Sequence, residues 1–145
     1  MSQKEIRAIC LQFLSRREYS QLELITRLSV KGFSEADSQA VINGLADQGL
    51  QSETRFAENY ARSRFNRGFG RSKVSYELKQ RGIEGFNLQA VIDDNFGDEI
   101  ALINQVYAKK YSTDLPVNYK ERLKRQRFLQ QRGFSFELIQ SLFSR

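Results

Sequence analysis

The chain has 145 residues, 40% of them apolar and 28% charged, with a formal net charge of +6. That balance belongs to a folded globular protein rather than a disordered one, and no run of about 18 apolar residues is present to cross a membrane. The chain has no histidine and a single cysteine, Cys10, which excludes histidine-based acid–base catalysis, zincin motifs, cysteine-cluster metal sites and an intramolecular disulfide.

Taken from the N-terminus, Met1-Ser2-Gln3-Lys4-Glu5 carries no apolar signal region, so the expectation is a cytoplasmic protein that is not exported. A helix is predicted over 3–17, with Cys10 a small core residue among Ile9, Leu11 and Phe13. Ser20-Gln21-Leu22-Glu23 has the spacing of a capping box, in which Ser20 accepts from the Glu23 amide and Glu23 reaches back. Leu24 and Leu28 follow on one face, and Gly32 suits the left-handed residue that ends a helix. Ser34 caps a third helix, in which Ala36, Ala40 and Val41 recur at helical spacing. The predicted helices are then 20–31, 35–48, 53–67, 71–81, 86–95, 98–111, 118–131 and 135–144. The one clear linker, Ser112-Thr113-Asp114-Leu115-Pro116, holds the only proline. No stretch alternates with period two, so no sheet is expected.

One phrase returns three times: Leu28-Ser29-Val30-Lys31-Gly32-Phe33, Leu78-Lys79-Gln80-Arg81-Gly82-Ile83 and Leu129-Gln130-Gln131-Arg132-Gly133-Phe134. Its glycines lie 50 and then 51 residues apart, the mark of stacked supersecondary units. The expected fold is all-α, an elongated array of three tandem three-helix repeats at 1–52, 53–97 and 98–145. Tyr19 aligns with Phe69, and Ala40-Val41 with Ala90-Val91 and Ser141-Leu142, as core positions. Three-helix repeats of this length also occur in Myb-type DNA-binding domains, but the chain has no tryptophan and that alternative falls.

Charge is uneven along the repeats. Residues 1–52 hold six basic and six acidic side chains, whereas 98–145 hold nine basic and five acidic. An excess of this kind favours an acidic partner, nucleic acid first, met by the second and third repeats. Between 62 and 81 lie Arg62, Arg64, Arg67, Arg71, Lys73, Lys79 and Arg81, with Glu77 the only acid. Glu58–Arg62 and Glu77–Arg81 are possible i, i+4 pairs, worth about 0.2–0.5 kcal/mol each. Arg64, Arg67, Arg71 and Lys73 are the cations expected to lack an obvious partner, and Tyr60, Ala61 and Phe65 form the inward face beside them. Lys120, Arg122, Lys124, Arg125 and Arg127 follow in the third repeat, with Arg132 in its glycine phrase. Lys120, Lys124 and Arg127 share a helical face, and Glu121 offsets at most Arg125. Crowded like charges of this kind are relieved when phosphates neutralise them. The arginines suit phosphate forks, yet no base-reading set is visible, so contact without strong sequence specificity is expected.

Catalytic readings find little support. Gly68-Phe69-Gly70 lacks the third glycine, or Gly-Lys-Ser/Thr, of a phosphate loop and reads as a helix stop and restart. Asp93-Asp94 and Asp98-Glu99 suggest Mg²⁺ only weakly, since Asp98 and Glu99 suit a helix first turn. No enzyme, cofactor or metal site is expected, and a metal-dependent nuclease built on these acids is the weakest alternative.

Together these runs resemble the RecX family of bacterial recombination regulators. The matching phrases are Arg17-Glu18-Tyr19-Ser20-Gln21-Leu22-Glu23-Leu24, Leu45-Ala46-Asp47-Gln48-Gly49-Leu50 leading into Arg55-Phe56-Ala57-Glu58, and Tyr60-Ala61-Arg62-Ser63-Arg64-Phe65-Asn66-Arg67-Gly68-Phe69-Gly70. Glu77-Leu78-Lys79-Gln80-Arg81-Gly82-Ile83 and Arg132-Gly133-Phe134-Ser135-Phe136-Glu137 complete the set, in family order over nearly the whole chain. Tyr19 stands where the family often has His, Arg71 where it often has Pro, and Ser52-Glu53 where it often has paired acids. The resemblance implies a protein without chemistry of its own. Such a protein binds the RecA–DNA filament along its groove and inhibits ATP hydrolysis, strand exchange and coprotease activity, as part of DNA repair and the SOS response. The expected partners are the RecA filament and single-stranded DNA phosphates, with no membrane, for a monomer. The alternative is a free-standing nucleic-acid-binding protein, for which Tyr76, Tyr107 and Tyr111 are the candidate stacking rings.

Overall fold

The structure, a computed structural model, describes residues 2–144. Among the described residues there are nine helices and no strand: α1 (Ser2–Leu14), α2 (Gln21–Val30), α3 (Glu35–Asp47), α4 (Glu53–Asn66), α5 (Arg71–Gln80), α6 (Leu88–Phe96), α7 (Glu99–Tyr111), α8 (Tyr119–Gln131) and α9 (Phe136–Phe143). The largest departure from the sequence expectation is at α1, which stops at Leu14 rather than at 17. There the Ser15 hydroxyl donates to the Gln12 carbonyl at 2.7 Å, a local bond that competes with helix propagation.

The repeated phrase has one physical cause. In each copy the amide of the residue after glycine donates to the carbonyl of the leucine five residues back: Phe33 to Leu28 at 3.1 Å, Ile83 to Leu78 at 2.9 Å, Phe134 to Leu129 at 3.2 Å. Each glycine amide also closes onto the carbonyl three residues back, at 3.0 Å. This is the Schellman arrangement, which satisfies carbonyls that a helix end leaves open and needs a left-handed residue at its centre. Gly32, Gly82 and Gly133 have φ of 92°, 83° and 100°, which makes glycine the fitting residue there. Leu28, Leu78 and Leu129 are buried, so each helix stop also fixes a core residue.

Helix starts are equally explicit. Ser20 and Glu23 form the expected capping box, and Ser34 accepts from the Asp37 amide. Asn87, Asp98, Asn118 and Ser135 cap α6, α7, α8 and α9 in the same manner.

The chain forms two compact units, and the divisions between them fall inside α4, inside α5 and in the connection just before α6. Unit 1 comprises Met1–Asn59 and Leu78–Phe86; unit 2 comprises Tyr60–Glu77 and Asn87–Arg145. In unit 1, α3 packs against α1 and α2 around Ile6, Cys10, Tyr19, Leu24, Leu28, Ile42 and Leu45. Cys10 is thus a core residue, and burial pushes its thiol pKa up to about 11. The inward face of α3 is Ser38, Ile42 and Leu45. Ala36 and Ala40, expected on that face, are exposed; the larger Ile42 and Leu45 set the phase because they gain more from leaving water. Buried Gln51 donates to the Tyr19 carbonyl at 3.2 Å and to Glu53 at 2.9 Å, and Glu53 accepts from the Gln21 amide at 2.9 Å. Glu53 therefore serves the N-terminus of α2, where its charge meets the positive end of the helix dipole.

In unit 2, α7 packs against α6 and α9, and α8 against α9. Phe65, Val74, Ile92, Leu102, Ile103, Leu129, Ile139 and Leu142 are buried. The turn after α8 lies directly on the start of α5. The Gly70 amide donates to the Arg132 carbonyl at 2.6 Å and the Ser72 amide to the Gly133 carbonyl at 3.2 Å. A Cβ on Gly70 would stand 2.6 Å from the Gly133 carbonyl carbon, so the two backbones approach this closely only without side chains. Gly68-Phe69-Gly70 is thus a helix stop and restart.

Candidate polyanion interface

The net charge divides with the units. Unit 1 has nine basic and nine acidic residues, whereas unit 2 has fourteen basic and eight acidic, so the full +6 belongs to unit 2. All the candidate cations except Lys79 are in unit 2; Lys79 is exposed on the part of α5 that belongs to unit 1.

Several of these cations are tied into the fold. Arg64 makes two parallel hydrogen bonds to Glu77, both 2.9 Å, with both side chains largely covered. Arg71 binds Glu99 at 3.1 Å and Gln89 at 2.8 Å. Both arginines, unpartnered by helical spacing, thus have partners that the fold brings from other helices. Arg125 binds Glu121 at 3.0 Å, the Tyr107 hydroxyl at 2.7 Å and the Asp114 carbonyl at 2.9 Å, holding the linker onto α7. Burial works against its charge, but the bonds to Tyr107 and Glu121 outweigh this and raise its pKa above the ordinary arginine value. Burial likewise raises the Tyr111 phenol, against the pull of Arg125, whose guanidinium lies 4.4 Å from the ring centre. Arg122 binds Gln140 at 2.7 Å.

A second group converges on one ring. Arg64, Lys73 and Arg132 lie 3.9, 5.3 and 4.8 Å from the centroid of Phe69, cation–π distances. Arg132 also caps α4 by donating to the Arg67 carbonyl at 2.9 Å, a favourable use of a cation at a helix C-terminus. Phe69, aligned by sequence with Tyr19, plays the corresponding part: Arg17 lies 3.5 Å from the buried Tyr19 ring.

The remaining cations point outward. Arg67, Lys120, Lys124 and Arg127 are exposed and make no ion pair among the described residues, and Arg62 is exposed on α4. On α8, Lys120, Lys124 and Arg127 share the outward face with Tyr119, which is 74% exposed, and with Leu123. Tyr119 is an exposed ring beside the cations that periodicity did not single out. Of the tyrosines named as stacking candidates, Tyr76 is exposed, Tyr107 is buried and Tyr111 is half-buried. Lys109 and Lys110, in the last turn of α7, are also exposed; two adjacent lysines were legible in the sequence but equally suit a helix C-terminus.

No cluster of three or more metal-ligating His, Cys, Asp or Glu side chains exists among the described residues. Asp98 accepts from the Ala101 amide as a helix cap, and Asp93 accepts from Gln89. No helix of the described residues is long and apolar enough to cross a membrane.

Models of the RecX family match in three consecutive parts: the first three-helix domain at residues 2–45, the second at 52–92 and the third at 97–143. The chain belongs to the RecX family. It is 39% identical over 130 residues to the regulatory protein RecX of Chromohalobacter salexigens, covering 89% of this chain and 84% of that protein. It is 38% identical over 133 residues to the regulatory protein RecX of Legionella pneumophila, covering 92% and 89%. Its fold is similar to the crystal structure of RecX from Lactobacillus salivarius, with a TM-score of 0.76 at 21% identity over 98% of this chain and 94% of that one. A second RecX crystal structure gives 0.79 at 17% identity, over 99% and 72%. The fold class is therefore all-α, with three RecX three-helix domains.

Proposed function

We propose that this chain is a regulator that binds the filament a RecA-type recombinase forms on single-stranded DNA and lowers its ATP hydrolysis, strand exchange and coprotease activity. The carrying observation is the concentration of the whole net charge in unit 2, with Arg67, Lys120, Lys124 and Arg127 exposed and free of carboxylates. Cations held without partners remain available to phosphates and to acidic protein surface, where each neutralised phosphate releases a counterion. Family membership supports the regulatory part of the reading. The sequence repeats at 1–52, 53–97 and 98–145 act as successive contact units along the filament, with the second and third carrying the charge. Occupying the filament groove keeps an incoming duplex out, and the protein does this in the cytoplasm as a monomer, without catalysis of its own.

The test is a titration against single-stranded DNA alone and against a recombinase filament on the same DNA, at two salt concentrations. Preference for the filament, with inhibition of its ATPase at low protein-to-recombinase ratio, is expected. Equal affinity for both, collapsing alike as salt rises, would favour a free-standing nucleic-acid-binding protein, for which exposed Tyr76 and Tyr119 offer stacking rings.

A further inference from the structure

Unit 2 contains a cleft of about 310 Å³, within the size range of built ligand sites. Its floor is apolar: buried Phe65 and Val106, with half-buried Phe96 and Phe128. Its rim carries Arg67, Lys109, Lys110 and Arg132, and no acidic residue lines it. Gly68 forms part of the wall, where an added Cβ would stand 3.2 Å from Arg132 and 3.6 Å from Val106.

We propose that this cleft docks an acidic segment of a partner protein that carries one bulky apolar side chain. The side chain enters the phenylalanine-lined floor, and flanking carboxylates meet Arg67, Lys109 and Lys110. The four cations around one opening supply the charge complementarity, and the apolar floor supplies the anchor pocket on which most docking energy rests. A nucleobase fits less well. Phe65 and Phe96 pack edge to face at 79°, and the Phe128 ring is approached by Lys110 at 4.1 Å and Arg132 at 5.1 Å. Neither arrangement leaves an open parallel face of the kind single-stranded bases stack upon. Arg132 is held by the Arg67 carbonyl, so its guanidinium is positioned before any partner arrives. The inference goes beyond the filament reading and does not depend on it.

The test titrates the full chain with a fluorescein-labelled peptide in which one Phe is flanked on both sides by alternating Asp and Gly. A version with Ala for Phe and a labelled oligothymidylate of equal charge serve as comparisons. The Phe peptide is expected to bind roughly tenfold or more tightly than the Ala peptide. Lys109→Glu with Lys110→Glu should weaken it by a similar factor, as should Gln105→Trp, which places a bulky ring at the exposed rim. Lys4→Glu, in unit 1, should leave peptide binding unchanged. Equal binding of the two peptides, or no effect of the Lys109/Lys110 reversal, overturns the proposal. So does a loss confined to the oligonucleotide in Gln105→Trp, which would make the cleft a nucleotide site.

Discussion

Unit 1 balances nine basic against nine acidic residues: Arg17 and Arg81 approach Glu23, Arg55 binds Glu18 at 2.9 Å, and the charges of exposed Lys4, Arg16, Lys31 and Lys79 are offset by acids elsewhere in the unit. Unit 2 uses the same helix caps and glycine stops, yet carries the whole +6 and leaves four of its candidate cations exposed without carboxylates. The two units therefore share the local chemistry that builds helices and differ in the net charge they present to a partner. Helix ends are fixed by backbone geometry that each repeat must restate, whereas surface charge is free to vary once the core is closed.

The sharpest test of that separation exchanges a glycine that is purely local for one that is also a contact. Gly133 combines φ of 100° with a Cβ position 2.6 Å from the Lys73 Cβ and 2.7 Å from its amide nitrogen. Gly133→Ala is expected to cost roughly 3 kcal/mol or more, from left-handed strain and overpacking together. Gly32 has φ of 92° with open space around it, so Gly32→Ala should cost only about 1–2 kcal/mol. Equal losses in urea unfolding would show that the unit 2 contact adds nothing.

A smaller effect distinguishes tied from free cations inside unit 2. Arg64→Ala leaves the partly covered Glu77 without its two bonds and should cost about 1–2 kcal/mol. Arg64→Lys should recover only part of that, because an ammonium cannot reproduce the parallel fork. Arg127→Ala, on the exposed face of α8, should stay within about 0.5 kcal/mol of the parent. A large loss at Arg127 would mean that the outward cations are structural as well.

Capping should cost less again. Ser20→Ala removes a buried box and is expected to cost about 1 kcal/mol, while Ser135→Ala, at an exposed cap with no box, should cost less by thermal melting. The smallest effect at neutral pH belongs to Cys10. Its thiol is raised from 9.0 to about 11 by burial, so the fold favours the protonated form. Any stabilisation from this is complete below about 9 and is lost as pH rises through about 11. Alkylation of Cys10 at pH 8 should be slow in the folded protein and fast after unfolding; fast reaction in the folded state would contradict its burial.

The repeat and the helices were legible because the stop signal is chemical: a leucine, a glycine able to take positive φ, and a hydrophobe that follows. The phase of α3 was misread because alanine at helical spacing carries little burial energy, and Ile42 and Leu45 decided the face. At the candidate site, spacing reports only neighbours on one helix. It found the Glu121–Arg125 pair, four residues apart, but missed Arg64–Glu77, whose partners are 13 residues apart and meet through the turn at Gly68. The three outward cations of α8 were legible as a face; the exposed Tyr119 among them was not, since nothing in the pattern fixed how far α8 is covered.

The most direct test of the account compares two charge reversals in binding to a recombinase filament on single-stranded DNA. One replaces Lys120, Lys124 and Arg127 of unit 2 with Glu, and the other replaces Lys4, Arg16 and Lys31 of unit 1. The unit 2 variant is predicted to lose affinity by on the order of a hundredfold and to show a shallower salt dependence, while the unit 1 variant keeps most of its binding. Equal losses, or a larger loss from unit 1, would contradict the assignment of the polyanion surface to unit 2.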